Sequence, residues 1–256
     1  MTHTNPRQVK ILKYGWRFAH GDIEGAETTD YNDGSWDQVR VPHDWAIGGP
    51  FSEDNDAQYT AIGVDGETKK RTLVGRTGGL PHVGKAWYRL PFDLTEDEAG
   101  KSIRIEFDGV MSHSTVYCNG KPVGSWPFGY ASFAFDLSEH VHAGSNLLAV
   151  SVDNKPESSR WYPGAGIYRH VRLVFLEPAH VAHWGTNIAT PEVRDAEAVV
   201  RVRTAVESSS SDTAVIKLRT EIRDADGNVV ATAEDTTQSS AEHMFDQTIR
   251  LPSPHL

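Results

Sequence analysis

The strict alternation of apolar and polar residues constrains this chain more than any other feature. Ile103, Ile105 and Phe107 alternate with Arg104, Glu106 and Asp108, and Leu148, Val150 and Val152 alternate with Ala149, Ser151 and Asp153. Val171, Leu173 and Phe175 repeat the pattern. A period of two puts every apolar side chain on one face of an extended backbone, which is the signature of a half-buried strand. Turn-prone runs such as Asn119-Gly120 and Ala143-Gly144-Ser145-Asn146 punctuate the strands. No segment sustains the helical period beyond about two turns. Leu94 to Gly100 and Leu137 to Ala143 are the only short helical or 3₁₀ candidates. The chain reads as all-β.

Short strands at spacings of roughly eight to twelve residues, joined by long decorated loops, predict a β-sandwich or jelly roll over residues 1–180. The character then changes. Aromatics nearly vanish after Trp184, and Val200-Val202-Thr204-Val206, Ile216-Leu218-Thr220-Ile222 and Val229-Ala231-Ala233 form cleaner strands. That pattern predicts an immunoglobulin-like sandwich over residues 181–256. Such a domain takes about seven strands and around 100 residues, so a truncated second module is expected here. Two domains also suit a length of 256 residues. Residues 52–86 form a long polar loop, in which Tyr59 to Leu73 looks like extra length. A loop of that size in a compact domain is either a functional lid or a mobile insertion.

A formal net charge of −10 argues against a nucleic-acid surface, because phosphate binding needs clustered Lys and Arg. The opening Met1 to Pro6 has neither the basic start nor the apolar middle of a secretory leader, and no apolar run is long enough for a membrane helix. The single cysteine, Cys118, excludes a disulfide framework, reads as a buried thiol and fits a cytoplasmic location. His140 with His142, and His180 with His183, are closely spaced, but neither pair has a third ligand nearby, so no metal is expected. Gly75 to Gly84 lacks the Lys-Ser/Thr ending of a phosphate loop, and no cofactor is expected either.

Two segments carry more chemistry than a strand connection needs. Ser159-Arg160-Trp161-Tyr162-Pro163-Gly164-Ala165-Gly166-Ile167-Tyr168-Arg169 sets a guanidinium, large aromatic rings and three glycines into eleven residues. Aromatic faces stack on the C–H-rich face of a sugar, arginine offers forked donors to hydroxyl or carboxylate oxygens, and glycines let backbone approach a ligand. Val41-Pro42-His43-Asp44-Trp45 repeats this chemistry, with an acceptor carboxylate beside another indole.

Together with Trp16, Phe18, Trp36, Ala86-Trp87-Tyr88-Arg89, Phe107-Asp108-Gly109-Val110, Val116-Tyr117-Cys118-Asn119-Gly120-Lys121, Val123-Gly124 and Phe135-Asp136-Leu137, these segments fall in the order of a known pattern. Over roughly residues 10–180 the chain resembles the amino-terminal region of glycoside hydrolase family 2, the β-galactosidase, β-glucuronidase and β-mannosidase family. The resemblance implies a jelly roll followed by an immunoglobulin-like domain. It also implies that the catalytic carboxylates lie on a later (β/α)₈ barrel, of which these residues show no alternating strand and helix pattern. No catalytic residue is therefore expected here, and the chain alone is expected to be inactive.

By the same resemblance Asp44 and Arg160 contact sugar hydroxyls, with Trp45, Trp161 and Tyr162 shaping the wall of a cleft that the barrel completes. The Pro-His-Asp-Trp run favours a β-galactosidase and a β-galactoside ligand. A homo-oligomeric full-length enzyme is implied as well. Each residue also has a structural reading. Asp44 is suited to capping a turn, and Arg160 to pairing internally with Asp44 or Glu157. Trp45 and Trp161 are suited to packing at the edge of a sandwich core, and Tyr168 and Arg169 to packing generally. A stand-alone carbohydrate-binding module or lectin, or a β-glucuronidase or β-mannosidase relative, would use the same aromatic faces.

Overall fold

The computed structural model describes residues 7–55, 59–64, 66–72, 80–156, 158, 161–208, 215–238 and 240–254. Strands β1 to β12 run Arg7–Ile11, Trp16–His20, Asp37–Val39, Tyr59–Val64, Glu67–Thr72, Gly84–Leu94, Ser102–Phe107, Ser114–Cys118, Lys121–Trp126, Phe133–Asp136, Gly144–Asn154 and Val171–Leu176. Strands β13 to β17 run Ala179–Val193, Glu197–Ser208, Val215–Arg223, Val229–Gln238 and Glu242–Pro252. The chain divides into two compact units, Arg7–Phe175 and a second that takes in Leu176–Leu256. The molecule is an all-β protein, a jelly-roll sandwich followed by an immunoglobulin-like one.

The first unit is a sandwich of a four-stranded sheet, β1-β12-β7-β10, and a six-stranded sheet, β3-β2-β6-β11-β8-β9. Its core draws on both sheets: Ile103, Ile105, Phe107, Leu173 and Phe175 from the first, and Trp16, Tyr88, Val116, Leu148 and Val150 from the second. Most of these are the apolar halves of the alternating runs, and here the two sheets cover one another's apolar faces. A second cluster joins Trp36, Trp87, Ala26 and Ala149. There Arg89, only 2% exposed, donates to Asp33 at 2.8 Å and to the carbonyls of Ala26, Thr28 and Tyr31. A buried guanidinium is tolerated because its donors are taken up.

The turn signals also take their expected form. Asn119 and Gly120, with φ of 51° and 80°, link β8 to β9 in the left-handed pair that a tight hairpin needs. Asn119 then locks this turn to the next, because its Nδ2 donates to Asn146 Oδ1 at 2.8 Å and its Oδ1 accepts from Leu147 N–H at 2.8 Å. Of the two helix candidates, the first contains α1 (Glu96–Ala99), opened by a Thr95–Glu98 capping box. The second is a turn, because the carbonyls of His140 and His142 accept from Asn119 Nδ2 and Asn146 Nδ2. Side chains there take the acceptors that a helix would use.

The extra length in the 52–86 loop carries regular structure over residues 59–64 and 67–72. Strands β4 and β5 pair antiparallel as a hairpin, with Gly66 at φ 82° in the turn. Val64-Asp65-Gly66-Glu67 carries the Asp-Gly signal from which this hairpin could have been read.

In the second unit β13-β14-β17 form one sheet and β15-β16 another, five strands among the described residues. Val202, Val206, Phe245 and Ile249 are buried. Val181, Ile188 and Val215 remain exposed. Among the described residues no helix is long and apolar enough to cross a membrane.

Candidate functional site: the Asp44 turn and the Trp161 loop

The two segments singled out in the sequence meet in space. His43 N–H donates to Ile167 O at 2.8 Å and Trp45 N–H to Ala165 O at 3.2 Å, which lays residues 43–45 beside 165–167. Gly166 makes the approach possible. It sits at φ 95°, and a Cβ there would stand 2.1 Å from Tyr88 Oη and 2.9 Å from Trp45 Cε3. Met111 joins from a third segment by exchanging backbone bonds with Gly166 at 2.8 and 2.9 Å.

Asp44 holds the junction. Its Oδ1 accepts from Ala46 N–H at 3.1 Å, as an Asx turn does, and from Ala165 N–H at 2.9 Å. Its Oδ2 accepts from the Tyr162 hydroxyl at 2.6 Å, across 118 positions of sequence. A carboxylate has about four acceptor positions, so about one stays open on Oδ2 of this half-buried group. Burial, and then the Asp44 carboxylate, raise the Tyr162 phenol well above its ordinary value, so it stays a donor. The capping reading of Asp44 therefore holds for Oδ1, while Oδ2 serves side-chain chemistry.

The remaining candidates separate. Trp45 is 5% exposed, donates its indole N–H to His82 O at 3.0 Å, and packs on Phe18 and Tyr88. It is a core residue rather than a wall: the turn after Asp44 folds the indole inward, and it supports the site from behind. Trp161, in contrast, is 58% exposed and donates its indole N–H to Tyr130 Oη at 2.8 Å. Tyr162 is 39% exposed. Arg160 lies outside the described residues, as does Glu157. Tyr168 donates its hydroxyl to Gly129 O at 2.9 Å, and a Cβ at Gly109 would meet Tyr168 and the Arg169 stem at about 3.0 Å, so both pack against neighbouring loops.

Beneath the junction lies an aromatic and imidazole layer that the sequence reading missed. His43 Nδ1 shares a hydrogen bond of 2.9 Å with the buried Tyr88 hydroxyl. His20 stacks edge-on against His82 and Trp45, and Phe18 against His43. Burial lowers both His20 and His43 below the ordinary imidazole range, opposed for His43 by the Asp44 charge. Tyr130 and Phe128 were also missed. The run Trp126-Pro127-Phe128-Gly129-Tyr130 repeats the aromatic, proline and glycine composition of the 161–164 run and could have pointed to them.

Cys118 is buried, which pushes its thiol up to about 12 and leaves no thiolate for nucleophilic work. Among the described residues no three of His, Cys, Asp and Glu converge as a metal-holding group.

Residues 9–177 match the profile described as glycosyl hydrolases family 2, sugar binding domain. The chain belongs to glycosyl hydrolase family 2. The β-galactosidase BoGH2A of Bacteroides ovatus is 36% identical over 256 residues, covering 98% of this chain and 28% of that protein. A β-glucuronidase of Formosa agariphila is 29% identical over 250 residues, covering 89% of this chain and 24% of that protein. The crystal structure of a family 2 member from Bacteroides cellulosilyticus superposes with a TM-score of 0.82 at 29% identity, covering 97% of this chain and 31% of that one. This family 2 chain thus spans less than a third of each relative's length.

Proposed function

We propose that this chain is the sugar-binding portion of a family 2 β-galactosidase, contributing substrate contacts to a cleft whose catalytic carboxylates lie elsewhere in the enzyme. One observation carries the reading. Asp44 is fixed by two backbone amides on one oxygen and keeps acceptor capacity on the other, next to a phenol oxygen that gives its proton to Oδ2 and is itself left to accept. Two acceptors side by side suit the O–H groups of vicinal hydroxyls on a non-reducing sugar, and such positioning adds to rate by holding the reacting bond in register. Retaining hydrolysis itself needs a pair of carboxyl groups flanking the bond. The 36% identity to a β-galactosidase, against 29% to a β-glucuronidase, favours galactosides.

The β-glucuronidase kinship supports a second reading, in which Arg160 meets a uronic acid carboxylate. The enzyme that carries this chain separates the two when assayed on nitrophenyl β-galactoside and nitrophenyl β-glucuronide. The expected result is turnover of the galactoside. Asp44→Asn should retain the Oδ1 cap while turning Oδ2 into a donor, and should lower kcat/KM by roughly 5- to 150-fold, the equivalent of about 1 to 3 kcal/mol. An Asp44→Asn enzyme with unchanged kcat/KM, or preference for the glucuronide, removes the galactoside reading. The 256-residue chain alone should turn over neither substrate.

A further inference from the structure

We infer that Phe128, Tyr130 and Trp161 form a second sugar platform beside Asp44, on which the next unit of an oligosaccharide stacks. This rests on the carbohydrate reading above and extends the ligand from one sugar to two or more. The three rings are 55%, 43% and 58% exposed. Single exposed aromatics are ordinary on a surface, but a contiguous set marks a binding site. Phe128 and Tyr130 have ring centroids 5.7 Å apart at 65°, and Tyr130 and Trp161 6.4 Å apart at 46°, so the three rings adjoin as angled facets of one surface.

The platform is held in place by its own supports. Trp161 Nε1–H donates to Tyr130 Oη at 2.8 Å, which fixes the indole against the loop opposite. That loop is pinned by His113 N–H on Pro127 O at 3.2 Å and by the Tyr168 hydroxyl on Gly129 O at 2.9 Å. Gly129 lies against Met111, where a Cβ would stand 2.4 Å from the thioether sulfur. Met111 in turn pairs with Gly166, the residue that brings the Asp44 turn close. Rings held by such bonds lose little entropy when a ligand arrives.

Two features choose a sugar over an apolar partner. The Tyr130 hydroxyl accepts from Trp161 and so keeps its own proton to donate to a hydroxyl at the platform's edge. Continuity supplies the other, since Trp161 precedes Tyr162, whose hydroxyl rests on Asp44. A ligand with an apolar ring face and hydroxyls around its rim fits both, and a chain of β-galactosyl units has that character.

The test uses the 256-residue chain labelled with ¹⁵N, with the Trp161 indole N–H identified by its loss in Trp161→Phe. β-1,4-Galactotriose should shift this signal along a saturable curve in the millimolar range. Galactose should need at least tenfold more, and Phe128→Ala should weaken the galactotriose response at least tenfold. Phe128 is 55% exposed, so its truncation leaves the fold standing, which the other indole signals check. No movement of the Trp161 signal with galactotriose overturns the inference, as does an equal response in Phe128→Ala. An equal shift with benzyl alcohol would mark a general apolar patch, and a shift on concentrating the protein without sugar would assign the surface to a second copy. The readout needs no hydrolysis, so it is independent of which glycoside the enzyme splits.

Discussion

The two units bear the same alternating code, yet their apolar faces meet different fates. In the first, Ile103, Ile105 and Phe107 are at most 1% exposed. In the second, Val229 on the apolar face of its strand is 44% exposed, Ile188 on β13 is 65% exposed, and Ile216, Leu218 and Ile222 are only half-buried. Alternation therefore specifies an extended backbone with one apolar side. It does not specify what covers that side, which depends on partners far away in sequence.

Substitutions of like kind in the two units put this contrast at risk. The largest effect is expected from Phe107→Ala, whose ring stacks on Phe133 at 4.9 Å. Urea unfolding should register a loss of about 3 to 5 kcal/mol, whereas Val229→Ala should stay within about 0.5 kcal/mol. Equal losses would mean that the second unit is packed as tightly as the first. Gly166→Ala comes next. It combines a left-handed φ with a clash on Tyr88 Oη and should cost about 3 kcal/mol or more, visible as a large fall in Tm. Gly227→Ala has a similar φ of 87° and meets nothing within 4 Å, so about 1 kcal/mol is expected.

Acid should loosen the two units in sequence. Burial lowers His20 and His43 in the folded first unit, so the unfolded chain binds more protons, and stability falls as pH drops through the ordinary imidazole value of about 6.5. In the second unit Asp224, Glu234 and Asp246 are held below the usual carboxylate range by hydrogen bonds to Asn228, Lys217 and Arg201. Their contribution is present above about pH 4 and is lost only as pH falls below it. All tryptophans but Trp184 precede residue 176, so tryptophan emission during thermal unfolding reports chiefly on the first unit. A Tm by that probe that does not decline between pH 7 and 5.5 would contradict the buried imidazole layer. In His43→Gln the decline should become shallower.

The smallest contrast concerns ion pairs. Arg172 grips Asp108 with two bonds of 2.6 and 2.7 Å on a surface that is about a quarter exposed, and Arg172→Ala should cost about 1 kcal/mol. Arg201 makes a similar fork to Asp246 at a more exposed place, with side chains 53% and 39% exposed, and Arg201→Ala should leave the unfolding midpoint unchanged. A measurable loss there would show the second unit's surface to be less screened than its exposure implies.

Much of the candidate site could be read from residue types alone. Asp44 and Tyr162 stood out because an acceptor, aromatic rings and glycines were concentrated where a plain connection needs none, and the two segments do touch. Trp45 misled because an indole beside a carboxylate looks the same in sequence whether it faces solvent or core. Its 5% exposure follows from Phe18, Tyr88 and His82, which arrive from other strands. Tyr130 had a compositional trace in the Trp126-to-Tyr130 run, but its bond to Trp161 spans 31 positions and could not be read locally.

What the amino-acid sequence determined by itself was local and periodic: strands from alternation, the Asn119-Gly120 turn from its need for positive φ, and a capped single turn of helix at Thr95. These follow from sterics and hydrogen bonding within a few residues, which composition and spacing encode directly. Tertiary structure alone decided which aromatic became core and which became surface, and that Asp44 would divide its two oxygens between backbone amides and a phenol. Those outcomes depend on groups brought together from about 30 to 120 positions away, and burial is a property of the assembled neighbours rather than of the residue.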